Sequence, residues 1–317
     1  MLLSICIPTY NRAEYLNNTL NSIVVQDRFI NTFDVEIVIS DNCSSDVTPQ
    51  IVKKYLEVFP DKIRYFRNEV NIFDRNFEKV LSHGRGAFLK LNNDTLVHKE
   101  NTLDVIIESI KLNFKRKDIL FFSNGSISDI VHIQVHNLDS FVHNASYYIT
   151  WIGSFGLWKT DFDSIDDFNK NAKLQLVQVD ILLRLISIKK HVSIINMVIF
   201  EPVNPKQKGG YNLFEVFVRN YLTLLNNYVK TNQLSKSVFK SEKHKLLNGF
   251  IFPWYCNILF DKSLTFKTNG ANNYLLEFFS ITDVIKFRIK VIMYKNKRIL
   301  KKIIKKIIET TTKIILT

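Results

Sequence analysis

A chain of 317 residues has room for one large domain, or for one domain and an appendage. A hydrophobic share of 46% and an aromatic share of 13%, with 9 Gly and 6 Pro, exclude a disordered or loop-rich chain. The net charge of +13 calls for an anionic partner, and the excess gathers between Lys286 and Lys306, where acids are all but absent. That stretch carries no zinc-ligand spacing and no nucleic-acid recognition motif, and aliphatic residues interleave it, so anionic lipid rather than nucleic acid is the expected partner.

In chain order, Leu2 to Ile7 is a short apolar run stopped by Pro8, which predicts a buried strand and then a turn through Arg12. Tyr15, Leu16, Leu20, Ile23 and Val24 recur at helical spacing, and Val35 to Ile39 is a second apolar run ending at Ser40 and Asp41. Helix, strand, helix and strand follow over residues 50–59, 63–66, 76–82 and 87–91. This alternation predicts an α/β fold with a mostly parallel, Rossmann-like sheet flanked by helices, in which ligands bind beyond the carboxyl ends of the strands. Those ends carry Pro8, Thr9, Tyr10 and Asn11, then Ser40, Asp41 and Asn42, then Asn92, Asn93 and Asp94. Farther on, the pattern predicts a helix over 102–112, a strand over 119–123, a period-two segment over 127–135, an aromatic and glycine-containing stretch over 151–158, and a helix over 174–188. From Tyr211 the pattern is helical, which places a domain over 1–205 and a helical region over 206–317. Cys6, Cys43 and Cys256 lack paired spacing and read as reduced thiols of a cytosolic protein. The start has no basic n-region and no run of 18 uncharged apolar residues occurs, so neither a signal peptide nor a membrane span is expected.

Four blocks in order, 4–12, 36–46, 68–77 and 84–94, resemble the family 2 glycosyltransferases of the GT-A fold. The resemblance covers residues 2–110 well, 111–200 loosely and the remainder hardly at all. It implies transfer of a sugar, with inversion, from a nucleotide diphosphate sugar to a glycan acceptor, as in bacterial lipopolysaccharide O-antigen or capsule synthesis. Pro8, Thr9, Tyr10 and Asn11 then pack on the nucleoside, Asp41 accepts from the base edge, and Asn71, Arg75 and Asn76 line the donor pocket. Asp46 braces its loop. Asp and Asn also favour turns and helix caps on their own account, and Arg75 also reads as a solvated helix position.

Members of the family usually carry two acids after the fourth strand, because Mg or Mn wants hard oxygen ligands and bridges the two phosphates. Here Asn92, Asn93 and Asp94 leave one carboxylate. The resemblance implies a divalent cation, Mn or Mg, on Asp94, with Asn93 on the ribose or a metal-bound water; the alternative is a strand-end turn in a catalytically silent nucleotide- or glycan-binding protein. Inverting transfer also needs a base within reach of the acceptor hydroxyl. Asp180 is the lone carboxylate of an apolar helix and is the candidate, although the family's Glu-Asp pair falls in strict register on Val177 and Gln178. An Asp180 to Arg184 pair along the helix is the other reading. Asp161, Asp163, Asp166 and Asp167 read as a solvated loop. Trp151, Gly153 and Ser154 lie where the family faces its acceptor, since aromatic faces stack on sugars and glycine admits close approach; a core cluster is the alternative, above all for Trp158. His132 and His136 sit on a segment that alternates like a strand, which argues against a metal site.

From Lys297 to Ile308 aliphatic pairs alternate with lysine pairs, so a helix would carry aliphatics on one half and lysines on the other. Such a helix lies in an anionic bilayer interface. It predicts a peripheral protein on the cytoplasmic face of the inner membrane, close to a lipid-linked glycan acceptor. Packing on its own domain or in an oligomer is the alternative.

Overall fold

The computed structural model describes residues 1–189, 191–206 and 208–316, with side chains in the last helix as far as Ile304. The chain opens with β1 (Leu3–Thr9), α1 (Ala13–Val24), a short α2 (Asp27–Asn31), β2 (Val35–Asp41), α3 (Thr48–Val58), β3 (Ile63–Arg67), α4 (Arg75–Ser82) and β4 (Phe88–Leu91). There follow β5 (Leu96–His98), α5 (Thr102–Asn113), β6 (Ile119–Phe122), β7 (His132–Val135), α6 (Leu138–Ala145), β8 (Gly156–Trp158), α7 (Lys159–Asp163), α8 (Val177–Lys189), β9 (Val192–Ile195) and β10 (Phe200–Pro202). The main sheet has the order β3-β2-β1-β4-β8, with β8 antiparallel to β4 and every other pair parallel. Helices cover both faces of such a sheet, which is why β1 and β2 read as unbroken apolar runs rather than alternating ones. Leu16, Leu20 and Ile23 of α1 and Ile106, Ile107 and Ile110 of α5 join Ile5, Ile7, Ile37, Ile39, Phe88 and Trp158 in one core.

The exception within β2 is Glu36, which is fully buried. Ser4 Oγ (2.7 Å), the Arg85 backbone N–H (2.6 Å) and Arg85 Nε (2.8 Å) all donate to its carboxylate. These bonds fasten the turn before β4 against β1. Gly86 completes the joint: its N–H donates to Ser4 Oγ at 2.7 Å, and a Cβ there would stand 2.6 Å from the Ser4 backbone nitrogen.

Two smaller sheets complete this part: β5 with β10, antiparallel, and β6-β9-β7. The period-two segment over 127–135 is a strand only from His132. Before it the backbone is held by Asn196, whose amide donates to the Ser128 and Ile130 carbonyls and accepts from the Ile127 N–H, and by Ser128 Oγ, which accepts from the Ile130 N–H. Helix α8 starts three residues later than the apolar pattern because Gln175 takes a left-handed φ of 57°. Neither β8 nor α6 is legible from periodicity, being too short.

Contacts divide the chain into two compact units. One is residues 1–206 with 224–242, and the other runs from 207 to 223 and from 243 onward. The later part contains β11 (Lys208–Asn212), α9 (Tyr221–Lys230), α10 (Lys236–Lys245), α11 (Phe252–Ile258), β12 (Leu264–Lys267), α12 (Ala271–Leu276) and α13 (Ile281–Leu316). The parallel pair β11 and β12 is an addition to the all-helical expectation. In the second unit, Phe287 of α13 packs against Phe214, Tyr255 and Phe252. Val284, Phe287 and Val291 are buried, whereas Ile285, Ile289, Ile292, Met293, Leu300, Ile303 and Ile304 are exposed. Among the described residues no helix is long and apolar enough to cross a membrane. Lys305, Lys306, Ile307 and Ile308 of the expected amphipathic pattern have side chains outside the described set.

Candidate active site

Parallel order brings the carboxyl ends of β1, β2 and β4 to one edge, and two loops there are sewn together by short polar side chains. After Thr9 the chain turns through Asn11, at a φ of 51°. The Asn11 N–H donates to Ser44 Oγ at 2.9 Å, and its side-chain carbonyl accepts from the Ser45 N–H at 2.7 Å. Asp46 accepts from the Ala13 N–H (3.1 Å) and the Thr48 N–H (3.0 Å), the bracing expected of it. Burial acts to raise its carboxyl, but the bonds from Thr48 and Ala13 prevail and hold it below the usual range. Pro8 is half-buried, while Tyr10 is exposed and offers its ring to the open edge.

Asp41 is fully buried, which departs from the base-edge contact expected of it. Its oxygens accept from the Ser44 N–H at 2.8 Å and the Tyr65 hydroxyl at 2.6 Å, with Arg67 Nε 3.7 Å away. In this arrangement it organises the turn. Burial, and then the Asp41 carboxylate, push the Tyr65 phenol up, so the hydroxyl keeps its proton and the bond persists.

Asn71 and Asn76 likewise bond to neighbouring loop groups. Asn76 is buried, accepts from Ser40 Oγ (2.6 Å) and Asn68 Nδ2 (2.9 Å), and donates to the Ser40 carbonyl (2.9 Å). Asn71 accepts from Asn42 Nδ2 at 2.7 Å and from the Phe73 N–H at 2.9 Å. The amide network shapes the 68–74 loop and leaves exposed Phe73, at a φ of 52°, and exposed Arg75 on its outside. Of the three pocket residues expected here, Arg75 is exposed, Asn71 is half-buried and Asn76 is buried.

The decisive cluster lies at β4. The Asp94 carboxylate, all but closed to solvent, accepts from Thr9 Oγ1 at 3.0 Å and from Arg12 Nη1 at 2.9 Å. Thr19 Oγ1 holds the Asp94 backbone carbonyl at 2.9 Å. Burial raises the Asp94 carboxyl, against the pull of Arg12 and Thr9. Asn93 Oδ1 is buried with no protein donor. As a site for Mn or Mg these residues do not fit: such an ion takes one or two carboxylates together with phosphate oxygens and water, and both oxygens of this single carboxylate already bind protein groups, one of them a cation. Among the described residues no group of three His, Cys, Asp or Glu is placed to hold a metal.

Behind the cluster, Lys90 is fully buried on β4. Its Nζ donates to the Leu91 and Gly153 carbonyls and lies over the Phe122 and Phe200 rings. Asn92 Oδ1 lies 2.8 Å from His98 Nε2, and burial pushes that imidazole down to about 3, so it is neutral and donates from Nε2. Burial pushes the Lys90 ammonium from its ordinary 10.5 down to about 7. Between these values the unfolded chain holds a proton that the folded chain has released, so folded stability rises with pH across the window and is least below it. The melting temperature should therefore climb from about pH 7 to about pH 10, the window between the two values, and Lys90→Met should flatten the climb. An identical slope in the variant would remove Lys90 as its source.

The stretch expected to face the acceptor is instead an internal joint. Ser154 is buried and donates to the Trp151 carbonyl at 2.6 Å, and a Cβ on Gly153 would meet the Trp151 ring at 2.6 Å. Trp151 itself packs against the core beside Phe200. Trp158 is a core residue whose indole N–H donates to the Asp118 carbonyl. Asp180 is buried, accepts from Asn171 Nδ2 at 2.8 Å and lies 3.2 Å from Arg184 Nε, which is the ion pair along the helix rather than a base open to an acceptor. Asp163, Asp166 and Asp167 are exposed as expected, but Asp161 is buried against Lys189 at 2.7 Å. His136 pairs with His191 rather than with His132.

Residues 4–116 match the family model Glycosyl transferase family 2. Over this segment the chain is similar to the family 2 glycosyltransferases. The chain is 46% identical over 89 residues to the abequosyltransferase RfbV of Salmonella typhimurium, covering 28% of this chain and 26% of that protein. The chain therefore spans about a quarter of this relative's length. Staphylococcus aureus TarS 1-349 in complex with UDP-GlcNAc superposes with a TM-score of 0.54 at 17% identity, over 72% of this chain and 67% of that one. The mannosyltransferase PcManGT from Pyrobaculum calidifontis, in complex with GDP-Man and Mn2+, superposes with a TM-score of 0.53 at 14% identity, over 92% and 84%. The α/β fold is that of the GT-A glycosyltransferases.

Arg12, Thr19, Lys90 and His98 are the site residues that sequence reasoning passed over. A signal existed for two of them: Arg12 lies inside the first family block, and Lys90 is the lone cation of an apolar strand.

Proposed function

We propose that this chain transfers a sugar from a nucleoside diphosphate sugar to a lipid-linked glycan acceptor at a membrane surface, in the assembly of a bacterial O-antigen or capsule. The observation that carries the reading is the Thr9, Arg12 and Asp94 cluster, assembled from the ends of β1 and β4 at the edge where parallel sheets bind ligands. In transfer the bond between the anomeric carbon and the diphosphate breaks, its electron pair leaves with the diphosphate, and the acceptor oxygen bonds to that carbon as its proton passes to a base. Tyr10 and Pro8 face the nucleoside. Asn93 Oδ1, without a protein donor, suits a ribose hydroxyl. Asp41, Asn11, Asn71 and Asn76 act one step back, by holding the loops that shape the pocket. Asp180 braces α8.

The membrane part rests on α13, where Lys295, Lys297, Lys301 and Lys302 are exposed beside the exposed Ile299, Leu300, Ile303 and Ile304. Each basic residue near an anionic surface contributes about 1 kcal/mol to attachment. The full chain should sediment with phosphatidylglycerol-containing vesicles and not with phosphatidylcholine vesicles. Replacing Lys295, Lys297 and Lys301 together by Glu should abolish sedimentation while leaving release of nucleoside diphosphate from the donor intact. Sedimentation unchanged by the triple substitution would defeat the membrane reading alone; failure of every nucleotide sugar to be turned over would leave a binding protein of the same fold.

A further inference from the structure

We infer that Arg12 is a built-in cation that takes the place of a divalent metal ion, so that the diphosphate of the donor binds without one. The inference rests on the donor-site reading above and concerns what neutralises charge within that site.

An Asp94 carboxylate standing alone at the diphosphate position would repel it. Some positive charge must therefore accompany the acid whenever the donor is bound. A divalent ion is one solution, but it must be captured from solution, and here it would first have to displace a cation already in place. Arg12 lies three residues past the end of β1, and its Nη1 lies 2.9 Å from Asp94 Oδ1 while Thr9 occupies Oδ2. Arg12 is tethered to the same sheet edge as the acid, so its local concentration is set by the fold. The Arg12 side chain remains 42% exposed, against 4% for Asp94. A guanidinium has five N–H donors in a planar fork, and the bond to Asp94 uses one nitrogen only, so it leaves donors on the other nitrogens for a ligand. Such a fork matches phosphate oxygens as well as carboxylates. Asp94 thus orients the guanidinium and cancels part of its charge, and Arg12 in turn makes the buried acid tolerable beside an anionic ligand. Asn rather than an acid at 92 and 93 fits the same arrangement, because with one resident positive charge a second carboxylate would restore the repulsion.

The test uses the full chain with UDP and GDP as probes, each titrated calorimetrically in EDTA and again with added Mn2+. For the unaltered chain the dissociation constant of whichever nucleotide binds should change by less than about threefold between the two conditions. Arg12→Met keeps the aliphatic bulk and removes the charge. It should weaken binding in EDTA by about tenfold or more, the scale of a lost charge-assisted contact, and Mn2+ should restore much of the loss because Asp94 is then free to hold it. The double variant Arg12→Met with Asp94→Asn should lose the response to Mn2+, and this separates charge from folding. Binding by the unaltered chain that collapses in EDTA, or binding by Arg12→Met equal to it in EDTA, would overturn the inference while leaving the donor site standing. Absence of binding by either nucleotide in both conditions would remove the donor reading itself and the inference with it.

Discussion

Glu36→Ala should destabilise the fold by roughly 2–4 kcal/mol, because it strips the acceptor from buried or half-buried donors and opens a cavity between β1 and β2. Ser4 Oγ and the Arg85 N–H would each lose a bond of 2.7 Å or less. The estimate stays below that for a fully buried ion pair because Arg85 is half exposed and can turn its guanidinium to water. Gln at position 36 restores the shape but offers amide protons to Arg85, so it should recover only part of the loss. Urea unfolding of the three proteins measures this directly. A loss below about 1 kcal/mol for Ala would mean that the turn before β4 is held by Gly86 and the sheet ladder alone.

Asp94→Asn should act in the opposite manner, removing function and keeping the fold. Asn has the size of Asp and still accepts from Thr9, but it no longer holds Arg12 as an ion pair. Loss of that orientation should lower turnover by about a hundredfold, the usual cost of a reacting group misplaced by an ångström. Stability should not fall. Burial raises the Asp94 carboxyl above its ordinary value despite Arg12 and Thr9, so the folded chain binds its proton more tightly than the unfolded chain does. Such a group costs stability as pH rises through that interval, and an uncharged replacement removes the cost at neutral pH. Melting temperature and turnover measured on one preparation decide the matter: a variant that melts early and loses activity in proportion would make Asp94 a structural residue.

These two residues also mark what the sequence can disclose. The parallel sheet was legible because β1 and β2 are buried on both faces and therefore write themselves as apolar runs. Its carboxyl ends were legible because Pro8, Ser40 and Asn92 punctuate those runs. Glu36 was not, since a single acid within an apolar strand has no meaning until Ser4 and Arg85, 32 and 49 residues away, are brought to it. The same distance hides the pairing of Arg12 with Asp94, 82 residues apart. The roles assigned to Asp41, Asn76 and Ser154 depart from the structure for a common reason. A polar side chain at a strand end is equally suited to a ligand and to a turn, and only burial separates the two. Residues 224–242, which belong with the first compact unit, show no change of composition that would betray it.

The central claim is that the ends of β1 and β4 form a nucleoside diphosphate sugar site. It is tested most directly by melting the full chain against a panel of nucleotide sugars, because a ligand that binds the folded state alone raises its apparent stability. One sugar nucleotide should raise the melting temperature of the unaltered chain, and the same compound should leave the Arg12→Met, Asp94→Asn double variant unmoved. A shift of equal size in the double variant, or none from any nucleotide sugar on the panel, would contradict the account.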